Sequence, residues 1–176
     1  RAHDISCRVK NLGGELNAFT TKEVTVINAT TLRADYYKAV ELISDIVFNS
    51  TFPEKELEKE KYVIFDEINL YKDTPADRIY DEFEDLIFGG SPLGHNILGS
   101  GSSLSKLHSV DIQAFKTRTY NTDQMVFSLI GNISEKMFIT IAERYFGSVP
   151  VSSRTFTRIK PPTTERFSKS VSRSTH

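Results

Sequence analysis

The chain contains little cysteine and no tryptophan, and features that it lacks exclude several kinds of site and classes of protein. Cys7 is the single cysteine among 176 residues, which excludes an internal disulfide framework and a zinc site built from thiolates. The four histidines do not have the spacing of paired metal ligands. No apolar run approaches the roughly 18–20 residues of a membrane-spanning helix. The aromatic residues, all phenylalanine or tyrosine, are expected to fill a core.

The beginning of the chain also lacks two common features. It has no initiating methionine and no apolar signal-peptide core. We therefore expect the sequence to be a fragment or processed piece of a longer protein. The sequence shows no targeting signal for a compartment and no membrane-spanning segment.

Acidic and basic residues nearly balance, with a formal net charge of −1, but they are unevenly distributed. Residues 151–176 carry six Lys/Arg and one Glu, whereas acidic residues concentrate in residues 54–85. A basic tail raises the question of nucleic acid. Pro161-Pro162 and the alternating polar residues of this tail favour a linker or an edge strand instead. No nucleic-acid partner is expected.

Hydrophobic periodicity predicts an α+β fold, a two-layer sandwich in which helices cover one face of a mostly antiparallel sheet. The predicted helices span residues 4–12, 33–48, 53–71, 74–88 and 134–146, with a broken helix over 104–119. The predicted strands span residues 15–21, 23–31 and 125–131. Residues 1–150 are interpreted as most of one domain, and residues 151–176 as a linker with a possible strand over 167–174.

Two glutamates on the predicted helix over 53–71 are candidate functional residues. Glu60 and Glu67 lie seven residues apart, which places them two turns apart on one face. Neither has a Lys or Arg three or four residues away. Because burying an unpaired charge is costly, carboxylates flanking a shared apolar patch need a partner from elsewhere, such as a cation. From these residues alone, a solvated acidic helix face is the favoured interpretation.

Four segments, in order, resemble the pitrilysin, insulin-degrading enzyme and mitochondrial processing peptidase family. Residues 13–20, GGELNAFT, resemble its G-G-x-x-N-A-x-T segment, and residues 60–67, EKYVIFDE, resemble its E-R-x-V-I-x-x-E helix. Residues 92–99, PLGHNILG, are similar to its P-L-G-x-x-I-L-G loop, and residues 120–132 to the strand pattern that follows. Each segment alone is a weak signal. Four in the family's order form a specific one.

The resemblance implies a zinc metalloendopeptidase of the inverzincin type. Glu67 would be the third protein ligand to Zn²⁺, and Glu60 a supporting catalytic carboxylate that orients a ligand or a bound water. Asn17 and Ala18 would lie on the strand that holds the substrate backbone by β-augmentation. The family's H-x-x-E-H segment, which supplies two His ligands and the general base, is absent. Family spacing places it before Arg1, so the chain as given is expected to lack zinc and activity.

Other interpretations stay open beside this one. Some relatives lack the metal motif and act as structural or substrate-binding partner subunits, although the presence of both Glu60 and Glu67 favours the enzyme. Asn17 is, without the resemblance, an ordinary exposed polar position in a strand. The complete protein is expected to close around a peptide or unfolded protein substrate together with a second homologous domain or subunit.

Overall fold

The computed structural model describes residues 2–158 and 160, and helices make up 57% of the structure. The α-helices of this part are α1 (Ala2–Lys10), α2 (Tyr36–Asn49), α3 (Glu54–Lys72), α4 (Pro75–Phe88), α5 (Gly101–Leu104), α6 (Ser109–Thr119) and α7 (Glu135–Phe146). The strands are β1 (Glu15–Thr20) and β2 (Thr25–Thr30). Short 3-10 turns lie at Arg33–Asp35, Pro92–Gly94 and Thr122–Gln124.

Two glycines end α1 and start the hairpin. Gly13 has a φ of +61°, a left-handed conformation that glycine adopts without steric cost. At Gly14, a Cβ atom would lie 2.5 Å from the carbonyl oxygen of Thr30. The pair therefore stops the helix and lets the backbone approach β2 closely.

The predicted hairpin is confirmed. β1 and β2 pair as antiparallel strands over their full lengths. In the turn between them, the Thr21 N–H donates to the Val24 carbonyl oxygen at 2.8 Å, and the Val24 N–H donates to Thr21 Oγ1 at 3.1 Å. The turn leaves Lys22 at the tip of the hairpin.

Helices α2 and α7 pack together and supply most of the buried apolar side chains. The buried residues of this contact are Ala39, Val40, Leu42 and Ile141. Ser44 Oγ donates to the Tyr145 carbonyl oxygen at 3.0 Å. The ring of Phe127 lies 4.8 Å from that of Phe146. Both helices agree with the periodicity that predicts them.

Helices α3 and α4 contact each other and are joined by a short turn. α4 begins at Pro75, where the missing backbone N–H costs no helical hydrogen bond. The sequence predicts that Ile79, Phe83, Leu86 and Ile87 line a core. This is wrong for Ile79 and Phe83, which are 63% and 58% exposed. α4 packs on α3 and on the turn at Pro92–Gly94, and no described element covers its outer side.

The predicted strand over residues 125–131 is wrong for the part of the chain that the structure describes. The segment carries no secondary structure over 125–130, although its side chains alternate between half-buried and exposed. Val126 and Ile130 are 92% and 97% exposed. A strand needs a hydrogen-bonded neighbour, and the described strands pair only with each other.

The predicted fold class is therefore supported in outline only. The described sheet is antiparallel, as expected, but it has two strands, and the described part of the chain is mostly helical. The broken helix predicted over 104–119 is confirmed only in its second part, because α6 spans Ser109–Thr119, whereas residues 105–108 are not helical and α5 ends at Leu104. The possible strand over 167–174 lies outside the described residues. None of the described helices is long and apolar enough to cross a membrane.

Candidate functional site

Helix α3 carries both candidate glutamates at its edge. Lys61 and Ile68 are buried, with exposed fractions of 4% and 5%, and they define the face that α3 turns inward. Glu60 and Glu67 each precede one of these residues, so they lie about 100° around the helix from the buried line. Seven residues separate them by about 10 Å along the axis. Both are exposed.

The sequence predicts that the two glutamates flank an apolar patch whose burial would require a partner for their charges, and the structure differs on this point. Val63, between them, is 50% exposed, so the shared apolar patch does not bury the carboxylates within the described residues. Desolvation therefore does not demand a partner here. Neither carboxylate makes a hydrogen bond or an ion pair with another described residue. Both are free to accept a ligand.

Asn17 and Ala18 lie in the middle of β1, opposite Asn28 and Ile27 of β2. Both are exposed. Within the described part, β1 pairs on one side only, with β2. Its second edge presents backbone N–H and C=O groups that an extended peptide can pair with.

Sequence reasoning misses a polar network centred on Asp81 of α4. The Tyr71 hydroxyl donates to Asp81 Oδ2, and Asn96 Nδ2 donates to the same oxygen at 2.7 Å. Lys22 Nζ lies 3.4 Å from Asp81 Oδ1 and 3.1 Å from Glu84 Oε2. The segment 54–85 is rich in acidic residues, so nothing in the pattern distinguishes Asp81 from its neighbours.

The network sets the protonation and the direction of its hydrogen bonds. Burial, and then the hydrogen bond to Asp81, raise the pKa of Tyr71 to about 12. The hydroxyl is therefore protonated at neutral pH and acts as a donor. Asn96 also accepts the Leu98 N–H on its Oδ1 at 2.7 Å, which fixes the side-chain amide and folds the loop around it.

The described residues do not form a complete zinc site. Among them, no group of three His, Cys, Asp or Glu side chains converges on one point. The chemistry of Glu67 suits one ligand position, but a catalytic zinc needs three protein ligands. His108 is occupied elsewhere, with its Nδ1 2.8 Å from Glu54 Oε1.

Comparison with known proteins identifies two family matches. The family described as Insulinase (Peptidase family M16) matches residues 1–101. The family described as Peptidase M16 inactive domain matches residues 107–176. Together they span almost the whole chain.

Curated relatives carry peptidase names. An uncharacterized zinc protease of Bacillus subtilis, YmxG, is 35% identical over 91% of this chain and 39% of its own length. The mitochondrial-processing peptidase subunit beta of Saccharomyces cerevisiae is 31% identical over 84% of this chain and 32% of its own length. The chain thus spans about a third to two fifths of these relatives.

Solved structures share the fold at low sequence identity. Pitrilysin superposes with a TM-score of 0.81 at 19% identity, covering 92% of this chain and 18% of that protein. A protease from Helicobacter pylori superposes with a TM-score of 0.80 at 20% identity, covering 92% of this chain and 39% of that one. The family resemblance of the four motifs is therefore confirmed, and the chain belongs to peptidase family M16.

Proposed function

We propose that the complete protein containing this chain is a zinc-dependent endopeptidase that hydrolyses peptides or small proteins. The observation that carries the proposal is the pair Glu60 and Glu67, exposed on one rigid helix without a partner among the described residues. The name zinc protease, borne by the relative from Bacillus subtilis, supports it.

Each candidate residue has a distinct role in this proposal. Glu67 supplies one carboxylate ligand, and two histidine ligands come from outside the described residues. Glu60, two turns away, orients a ligand or a water beside the metal. When bound, zinc acts as a Lewis acid and activates water for attack on a carbonyl. The described part alone is expected to be inactive, because it lacks those histidines and the general base.

The open edge of β1 is the proposed substrate-binding surface. A peptide that adds as a further strand gains main-chain hydrogen bonds that do not depend on its sequence. Asn17 and Ala18 lie at the centre of this edge, so they would contact residues near the scissile bond. A second homologous domain or subunit would enclose the peptide. The yeast relative is itself named a subunit.

Zinc content of the complete gene product tests the metal assignment. We expect about one zinc per chain in the unmutated protein, and loss or a strong weakening of zinc binding in Glu67→Gln. Asp66→Asn is the matched control, because Asp66 is exposed on the same helix one residue earlier. It is expected to retain its zinc.

Peptide hydrolysis separates the roles of the two glutamates. Glu60→Gln is expected to keep zinc but to lose about 10- to 100-fold in activity, because removing a residue that orients a ligand or a bound water generally has an effect of this size. An unmutated protein without zinc would contradict the proposal. It would favour the alternative, a non-catalytic partner subunit that binds substrate.

A further inference from the structure

The Asp81 network joins the elements that carry the two halves of the proposed site. Tyr71 lies one helical turn after Glu67 on α3, about 6 Å along the axis. Lys22 lies two residues after β1 ends. Both side chains meet the carboxylate of Asp81, one on each oxygen. Asp81 of α4 thus contacts both a residue of the glutamate-bearing helix and a residue that follows the proposed substrate-binding strand.

The same carboxylate also holds the loop over residues 92–99. Asn96 donates to it, and Lys22 Nζ donates to the carbonyl oxygen of His95. The side chains of Lys22 and Asp81 are 17% and 27% exposed, so solvent weakens their interaction less than at an open surface. Three segments distant in sequence are therefore ordered around Asp81.

Apolar packing does not fix this junction. An open groove of about 330 Å³ lies between the hairpin turn, α4 and the loop. Its lining residues are Thr21, Lys22, Glu23, Glu84, Phe88 and Leu93. The groove leaves the hairpin turn only partly packed against α4, and Lys22 Nζ bridges the two by contacting Asp81 and Glu84.

A carboxylate suits this position better than its amide. Asp81 receives hydrogen bonds on both oxygens, from Lys22 on Oδ1 and from Tyr71 and Asn96 on Oδ2. An asparagine would present an NH₂ group to one of these sets of donors, so that set would lose its bond to residue 81, although Lys22 would keep Glu84 and the His95 carbonyl oxygen as acceptors. It would also remove the negative charge that attracts Lys22.

We propose that Asp81 is a positioning residue that sets the separation between the substrate-binding strand β1 and the helix that carries Glu67. The assignment rests on the proposed function, since it concerns where a peptide on β1 lies relative to that site. Displacements of about 1 Å between a substrate and its catalytic groups are enough to lower rates by about 100-fold. Asp81 therefore affects substrate use without touching the substrate.

Amide hydrogen exchange of the complete gene product tests the geometric part, with Asp81→Asn compared with Asp85→Asn. Asp85 lies one turn further along α4 and is exposed, which makes it a matched control. In Asp81→Asn we expect exchange to rise at least fivefold in residues 15–24 and 92–98, and to stay unchanged in α7. In Asp85→Asn we expect no change in either place.

Steady-state kinetics test the functional part. We expect Asp81→Asn to lower kcat because the bound peptide is displaced, to raise KM for a peptide substrate at least fivefold because the strand that binds it is held less firmly, and to keep its zinc content. A variant that is merely less folded lowers kcat in proportion to the folded fraction and leaves KM unchanged. Tyr71→Phe removes only the hydroxyl, and it replaces Asp81→Asn as the test variant if Asp81→Asn does not fold. It is expected to give smaller shifts in the same direction.

The outcomes distinguish this inference from the proposed function. If the unmutated protein lacks zinc, the proposed function is wrong, whereas the exchange pattern still tests the contacts around Asp81. Exchange that rises equally in α7, or that is the same in Asp81→Asn and Asp85→Asn, would overturn the positioning role. So would an unchanged KM in Asp81→Asn and Tyr71→Phe when the unmutated enzyme is active.

Discussion

Lys61 is the most enclosed charged side chain of the described residues, with 4% of its surface exposed. Its Nζ lies 2.6 Å from Glu58 Oε1, and the Glu58 side chain is 52% exposed. The ammonium group is therefore desolvated while its partner remains hydrated. An arrangement of this kind contributes little net stability, because the cost of burial offsets the attraction.

We expect Lys61→Met to leave the free energy of unfolding unchanged or to raise it by about 1 kcal/mol. Methionine fills a similar volume, and Glu58 keeps its contact with water. Chemical denaturation of the complete protein measures the change. Lys59→Met, at a lysine with a 63% exposed side chain paired with Glu56, is the control and should change stability by less than about 0.5 kcal/mol. A loss of more than about 2 kcal/mol in Lys61→Met would show that the ammonium is needed.

Glu54 couples the start of α3 to the start of α6 in a pH-dependent way. Its Oε2 accepts the Ser109 N–H at 2.8 Å, and this bond, followed by the contact with His108, holds the pKa of the carboxyl below its usual 4.5. A lowered pKa in the folded state stabilises the fold above the unfolded-state value. The contribution is lost as the pH falls through the folded-state pKa.

We therefore expect Glu54→Gln to make the melting temperature less dependent on pH below about 4.5. The measurement is a series of thermal melts from pH 6 to pH 3. Glu143→Gln, at an exposed glutamate of α7, controls for the general effect of removing one acidic group. Identical pH profiles for Glu54→Gln and the unmutated protein would contradict the coupling.

At the scale of elements, the junction between α1 and the hairpin depends on the absence of a side chain at Gly14. We expect Gly14→Ala to destabilise the protein by about 1–3 kcal/mol, because its methyl group would meet the Thr30 carbonyl oxygen. Gly131→Ala is the matched control, since a Cβ there meets nothing within 4 Å. Thermal melts of both variants compare them. Equal melting temperatures would show that β2 shifts enough at Thr30 to accommodate the methyl group.

Local signals predict most of the elements, and their failures have a physical cause. Periodicity and the Pro75 start place α2, α4 and α7 correctly, because each of these signals is contained within the helix itself. The strand over 125–131 depends instead on a neighbouring strand, which the described residues do not provide. The outward Ile79 likewise depends on what covers α4 rather than on α4.

The candidate site shows the same difference between residues that a local sequence pattern identifies and residues that only contacts between distant segments identify. Glu60 and Glu67 could be located because their spacing and the family motif are contiguous in the sequence. The network around Asp81 could not, because its members are up to 74 residues apart. Asn96 lies within the recognised loop motif, yet only the three-dimensional contact shows what it holds.

At the scale of the whole molecule, the described part leaves several apolar side chains in solvent. Val126 and Ile130 are almost fully exposed, and Leu70 of α3 is 70% exposed. Large apolar side chains with this exposure would gain stability if another surface covered them. The exposure of these side chains agrees with the finding that the chain spans about a third to two fifths of the length of its relatives.

The segment after α7 is held to the rest of the described part by hydrogen bonds. The Ser152 N–H donates to Thr122 Oγ1 at 2.8 Å, and the Thr122 hydroxyl donates to the Ser152 carbonyl oxygen at 3.1 Å. The Arg154 N–H donates to the carboxylate of Asp123 at 3.1 Å. Residues 151–158 contain no helix or strand, so these bonds, rather than secondary structure, hold the segment in place.

We expect Thr122→Val to expose this segment to proteolysis in the complete protein. The change keeps the side-chain shape and removes a hydroxyl that makes two hydrogen bonds, each worth about 1 kcal/mol, so opening should become on the order of tenfold more frequent. Limited digestion with trypsin, which cleaves after Arg154 and Arg158, measures the rate. Thr117→Val is the control, because the Thr117 hydroxyl bonds only within α6, to the Gln113 carbonyl oxygen. If both variants are cut at the unmutated rate, the Thr122 hydroxyl does not hold this segment in place.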